Sequence, residues 1–207
     1  MASVVVIAAY FIAWSLLHSL LASLRVKRWA RRVLGAKVDR WYRLVFNTIS
    51  GLTVLPMLAF LALLPDRTLY IVPSLWRWMM VGLQGGCVVV LLWTLLQTDA
   101  LHFVGLRQLL AKRPRQSGIL QIRGMYCYVR HPLYFFSLIL IWLVPVMTAN
   151  LLTLYILIAL YFYIGSIHEE ARLVDEFGES YVDYQRRVPR LIPRLKRCYP
   201  PTGRAGG

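Results

Sequence analysis

The stretch LYFFSLILIWLVPVMTANLLTLYILIALYFYIGSI, residues 133–167, carries no charged side chain over 35 positions. An apolar helix crosses a bilayer with about 20 residues, so this run is too long for a single crossing. Thr148-Ala149-Asn150 interrupts it near the middle, with Pro145 just before. The pattern predicts two coupled helices, roughly 133–147 and 151–168, folded as a hairpin. Each is short for a full crossing, so they are expected to stand steeply or to pack against the thicker part of a bundle.

The rest of the chain repeats the signal. Residues 1–24 contain no charge and form a first span. They do not read as a secretory signal, because the basic residues follow the apolar run and no small-residue cleavage site closes it. Further spans are expected over about 44–64 and 76–98, the former with Pro56 at its centre. The chain is 58% hydrophobic and 16% charged. Soluble domains have about 45–50% apolar and about 25% charged residues, so lipid is the expected solvent. The expected fold is therefore an all-α integral membrane protein with five transmembrane helices, helices 4 and 5 forming a hairpin, and a cytoplasmic helical tail. Residues 1–98 are read as an N-terminal three-helix membrane region and 99–207 as the catalytic region, in one integrated domain.

A formal charge of +15 raises the question of nucleic acid. The distribution of charge answers it. The Lys and Arg residues concentrate in 25–43, in 99–131 and after the last span, leaving only Arg67 and Arg77 elsewhere. With five spans those three segments share one side of the membrane. The positive-inside rule makes that side the cytoplasm, with the N-terminus outside and no nucleic acid partner required. Cys87, Cys127 and Cys198 show neither a paired framework nor metal-ligand spacing.

Two clusters can carry chemistry. Arg130 and His131 stand directly before Pro132, a residue suited to the first turn of a helix. They would sit at a helix mouth whose unpaired N–H groups and positive dipole favour an anion such as a carboxylate, with Tyr134 one turn further in. Glu169 and Glu170 follow the apolar run. At a helix C-terminus two acids would oppose the macrodipole, a cost that marks them as functional candidates. The hairpin should bring both clusters together; the plain alternative is an Arg130–Glu salt bridge. In the tail, Leu173, Phe177, Tyr181 and Tyr184 are spaced as one helix face, which Gly178 interrupts or caps. His18 inside the first span suggests a buried, hydrogen-bonded residue or a haem or metal ligand; without a second His at ligand spacing no metal site is expected.

The motif Gly124-x-Tyr126-x-x-x-Arg130-His131-Pro132-x-Tyr134, followed by Glu169-Glu170-x-x-Leu173-x-x-x-Phe177-Gly178-x-x-Tyr181-x-x-Tyr184, resembles the isoprenylcysteine carboxyl methyltransferase and phospholipid methyltransferase superfamily. Trp14-x-x-x-His18-Ser19, Tyr42-Arg43-Leu44-x-Phe46-Asn47, Phe103-x-Gly105-Leu106-Arg107-Gln108 and Trp142-x-x-Pro145-x-Met147-Thr148 are similar to its bacterial methanethiol S-methyltransferase branch. Haem-containing membrane isomerases share the N-terminal region but a less complete second half. The resemblance implies S-adenosylmethionine as cofactor, in a cytoplasmic pocket near Leu120, Gln121, Gly124, Tyr126, Arg130, His131, Tyr134 and Glu170. It implies catalytic roles for His131, Glu169 and Arg172, and an acceptor side that includes His18, His102 and Trp142. The expected acceptor is a small or lipophilic thiol such as methanethiol, methylated to dimethyl sulfide at the bacterial inner membrane. Isoprenylcysteine carboxylates and phospholipid amines are the alternatives within the superfamily.

Overall fold

The computed structural model describes residues 1–35, 38–97, 120, 122–194 and 198. In chain order the elements are α1 (Ala2–Ala22), α2 (Leu24–Leu34), α3 (Val38–Leu52), α4 (Leu55–Leu63), β1 (Thr68–Ile71), α5 (Ser74–Gln97), a 3-10 turn (Gly124–Cys127), α6 (Pro132–Trp142), β2 (Val146–Thr148), α7 (Ala149–Phe177) and α8 (Glu179–Arg187). Among the described residues four helical segments are long and apolar enough to cross a membrane: Ala2–Ala22, Val38–Leu63, Ser74–Gln97 and Ala149–Phe177. Pro132–Trp142 is apolar but shorter. Its 11 residues rise about 16 Å, roughly half the hydrocarbon thickness.

The segment Val38–Leu63 is broken between α3 and α4. Pro56 lacks the N–H that would continue the ladder, and the break falls just before it. At the break the Thr53 hydroxyl lies within donating distance of the carbonyls of Ile49 (2.7 Å) and Ser50 (3.1 Å).

The chain divides into two compact units. The first holds residues 1–72 with 146–158. Here Trp14 Nε1 donates to Thr53 Oγ1 (3.0 Å) and Tyr10 donates to the Thr53 carbonyl (2.7 Å), which ties α1 to the α3–α4 break. β1 and β2 pair antiparallel, with Ile71 opposite Val146. This short ladder is the one departure from an all-helical architecture among the described residues. Asp66 accepts from the backbone N–H of Asn150 (3.1 Å), fixing the start of α7.

The second unit holds residues 73–98, 115–145 and 159–207. In it α5 packs along α6, and Gln84 Nε2 donates to the Leu140 carbonyl (3.1 Å). The break predicted at 148–150 is present, but α7 does not stop near 168. It runs on to Phe177, and Gly178, with φ of 57° and ψ of −137°, makes the turn into α8. That backbone conformation strains any residue bearing a Cβ. The predicted aromatic face forms as well. Tyr181 and Tyr184 are buried with Ile122, Cys127 and Val188, and Leu173 and Phe177 pack against them.

Candidate active site

The extension of α7 corrects the reading of the acid pair. Glu169 and Glu170 lie two turns inside a helix, not at its C-terminus, so they do not face the negative end of the macrodipole. What sets them apart is helix phase. Ser166 and Glu170, four residues apart, are buried on the face that continues through Leu173 and Phe177, whereas Glu169 lies about 100° around the helix. Glu170 is 2% exposed and the Glu169 side chain 39%.

Glu170 is saturated by hydrogen bonds. Arg130 donates from Nε to Oε1 (2.8 Å) and from Nη2 to Oε2 (3.1 Å). Gln185 Nε2 (3.0 Å) and Arg190 Nε (3.2 Å) and Nη2 (3.0 Å) donate to Oε2. His131 Nε2 lies 3.0 Å from Oε1. An ionised carboxylate only accepts, so His131 must carry its proton on Nε2. Arg130, with 8% of its side chain exposed, also donates from Nη1 to the carbonyls of Gln185 (2.6 Å) and Val188 (3.1 Å).

The charge-free part of α7 ends at Ile167, three residues before Glu170. Burial by itself raises its pKa. Hydrogen bonds from His131 and Arg190 and the charges of Arg130 and Arg190 outweigh that and bring it down to about 2. A carboxylate with a depressed folded-state pKa stabilises the fold fully above its ordinary value and progressively less as pH falls through the depressed one. Acid unfolding followed by circular dichroism is therefore expected to show stability draining from near pH 4.5 down towards 2, with a flatter slope in Glu170→Gln. Equal slopes would show that Glu170 is not the titrating group.

Tyr134 donates to Glu169 Oε2 (2.8 Å), and His131 Nδ1 stands 3.7 Å from the same oxygen. The Tyr134 ring stacks between His131 (5.2 Å) and Phe162 (4.8 Å). His131 is thus flanked by a carboxylate at each ring nitrogen. Arg172, exposed one turn beyond Glu169, is close enough for its charge to act on Tyr134.

The tail holds this arrangement from outside. The backbone N–H groups of Arg130 and His131 donate to the carbonyls of Pro189 (2.9 Å) and Arg190 (3.1 Å), and Arg194 N–H donates to Tyr128 (3.2 Å). Those two N–H groups, which precede the first helical residue Pro132, are therefore taken up by the tail. Tyr126, on the 3-10 turn, accepts at its carbonyl from the Tyr184 hydroxyl (2.7 Å). Gly124 starts that turn at φ of 56°, and a Cβ there would collide with the Gln97 side chain. Leu120 packs on the aromatic core. Cys127 and Cys198 form a disulfide, which overturns the expectation of three unpaired thiols. The return of the tail is what brings them together.

The structure thus gathers Arg130, His131, Tyr134, Glu169 and Glu170, with Gly124 and Tyr126 just ahead in the chain. It adds Gln185 and Arg190, which the sequence did not single out. Trp142 is at the far end of α6, about 15 Å along the helix from Pro132. His18 belongs to the first unit, stacked with Trp14 (5.0 Å) and beside Phe46 (4.9 Å). His102 and Gln121 lie outside the described residues.

Comparison with known proteins bears on the family of the chain. Residues 4–188 match the family described as a protein of unknown function, DUF1295. The chain is 36% identical over 185 residues to a methanethiol S-methyltransferase of a Pseudomonas species, covering 86% of this chain and 68% of that one. It is 33% identical over 188 residues to methanethiol S-methyltransferase 2 of Bradyrhizobium diazoefficiens, with the same coverage. A methanethiol S-methyltransferase of Crocosphaera subtropica is 30% identical over 207 residues, covering 87% of this chain and 71% of the relative. No solved structure is significantly similar to it. The chain belongs to the DUF1295 family, in the branch of membrane methyltransferases that holds the methanethiol S-methyltransferases.

Proposed function

We propose that this protein transfers a methyl group from S-adenosylmethionine to a small or lipophilic thiol such as methanethiol, yielding dimethyl sulfide. The observation that carries the reading is the division of labour between the two carboxylates. Glu170 is consumed within the protein, while Glu169 keeps solvent contact beside a histidine. We read α6 as the fourth of five crossings, with the N-terminus outside and the tail and site on the cytoplasmic side. Residues 99–207 then form the catalytic region.

The donor set fits such a cofactor. Its amino-acid head carries an ammonium and a carboxylate. Glu169 presents an exposed carboxylate, and the Arg190 side chain, 31% exposed, presents a guanidinium. Glu169 would hold the ammonium and Arg190 the carboxylate, with Gly124 and Tyr126 on the neighbouring turn lining the site. Arg130 acts one step back, by fixing Glu170. When bound, S-adenosylmethionine supplies a methyl group already activated on a sulfonium.

The protein's tasks are then alignment and proton removal. A thiol attacks as its thiolate. Glu170 holds the Nε2 proton of His131, so the lone pair of the neutral ring is on Nδ1. That atom takes the thiol proton. The imidazolium so formed lies between Glu170 at 3.0 Å and Glu169 at 3.7 Å, and both stabilise it. Arg172 stands at the acceptor side. With the donor held by Glu169 and Arg190, the thiolate would be aligned with the activated methyl group, and that positioning would supply much of the rate.

The test uses the full chain in bilayers with labelled S-adenosylmethionine and a panel of acceptors, read by headspace detection. Labelled dimethyl sulfide from methanethiol supports the proposal. Transfer only to an isoprenylcysteine or a phospholipid amine would keep the cofactor and overturn the acceptor. Absence of both cofactor binding and product would overturn the whole reading.

A further inference from the structure

α2 begins two residues after α1 ends, with Ser23 between them as its N-cap, accepting from Val26 N–H at 3.3 Å. A helix tethered so closely to a 21-residue apolar span stays at the membrane boundary. With Arg25, Lys27, Arg28, Arg31 and Arg32 among 11 residues, it cannot enter the hydrocarbon core.

Its side chains fall into three sectors at helical spacing. Lys27 and Arg31, four residues apart, face α3 and pair with Asp39 at 3.8 and 3.3 Å. Trp29 and Val33, again four apart, form an apolar edge that the protein leaves 62% and 61% exposed. Arg25, Arg28 and Arg32, at i, i+3 and i+7, form a third stripe. Among the described residues none of these three has an acidic partner, although Arg28 Nε also donates to the Leu24 carbonyl at 3.3 Å.

We infer that α2 lies in the plane of the membrane surface, with Trp29 and Val33 in the headgroup–acyl boundary and the Arg25-Arg28-Arg32 stripe binding anionic phospholipid headgroups. The chemistry is complementary on both faces. Trp is suited to the interface, where one side of the ring meets hydrocarbon and the other meets water. A guanidinium forks onto phosphate oxygens through paired N–H donors. A basic, amphipathic helix of this kind gains from apolar burial and from attraction to acidic lipid together. Asp39 neutralises part of one flank, so the unpaired stripe is directional: it selects headgroups on the side of α2 away from α3. The inference does not rest on the methyl-transfer reading.

Two measurements on the full chain in phosphatidylcholine bilayers containing phosphatidylglycerol test it. Spin-labelled phosphatidylglycerol and phosphatidylcholine report relative affinity for the protein surface. The wild type is expected to prefer phosphatidylglycerol. The R25Q/R28Q/R32Q variant should lose at least about fivefold of that preference, since one surface cation contributes about that factor. The R25K/R28K/R32K variant, which keeps the charge, should retain a preference. Equal affinity of both lipids for the wild type, or an unchanged preference in the Gln variant, would overturn the inference.

The second measurement labels the protein with 5-fluorotryptophan and identifies the Trp29 resonance through W29F. Relaxation by a headgroup-borne paramagnetic lipid, exceeding that from a water-soluble agent, is expected. Protection from both agents would mean that a second copy or another protein covers the face, and would also overturn it.

Discussion

Glu170→Ala is expected to destabilise the protein by about 3–5 kcal/mol, the usual effect of removing one partner from a buried ion pair. The carboxylate is the shared acceptor of Arg130, His131, Gln185 and Arg190. Without it, the buried guanidinium of Arg130 has no counter-charge and Arg190 confronts it across the gap. The tail is then held mainly by its backbone bonds and its aromatic face. Glu170→Gln keeps the shape and some acceptor capacity but not the charge, so its loss should be smaller. Arg130→Met combined with Glu170→Met removes both charges and should be less damaging than the sum of the two single changes. Thermal unfolding in detergent or bilayer discs, read as a double-mutant cycle, measures this. Stability of Glu170→Ala within about 0.5 kcal/mol of the wild type would show that the buried pair does not hold the site together.

His131→Gln is expected to lower kcat by roughly 10²–10⁴, the range for loss of a positioned general base. Affinity for S-adenosylmethionine should change little, because the head groups of the cofactor are assigned to Glu169 and Arg190. Glu169→Gln should show the opposite pattern. It removes a charge-assisted hydrogen bond worth about 1.5–3 kcal/mol, which corresponds to a loss of cofactor affinity of roughly ten- to a hundredfold. Turnover with saturating cofactor should survive better than in His131→Gln. Equilibrium binding and turnover with labelled cofactor separate the two. If Glu169→Gln abolished turnover while binding cofactor normally, Glu169 would be the base and His131 a structural residue. Because His131 touches Glu170, folding of each variant is checked by its unfolding temperature before kinetics are compared.

Much of the architecture was legible because lipid imposes a simple rule: long runs without charge must span or be buried. The segments near 1–24 and 76–98 reappear as α1 and α5 within two residues, and that near 44–64 as α3–α4, which starts six residues earlier at Val38. The break at 148–150 reappears between β2 and α7. The face of Leu173, Phe177, Tyr181 and Tyr184 survives the interruption at Gly178, because the turn returns α8 onto the same core. The proximity of Arg130 and His131 to the acid pair also followed from the order of apolar runs.

Other features required the fold. Apolar character stops at Ile167, but α7 continues for nearly three more turns because the tail packs against them. Gln185 and Arg190 were missed for a plain reason. Arg190 is one of many cations in the tail, and nothing in local spacing distinguishes the one that turns inward. The same holds for Cys127 and Cys198, 71 positions apart. Composition and periodicity located the long apolar segments and the two clusters of polar residues beside them, since these depend on each residue and its near neighbours. Which carboxylate is buried and which is presented depends on helix phase and on the path of the returning tail. Only the tertiary structure decided it, by placing two arginines, a glutamine and a histidine around Glu170 and leaving Glu169 open.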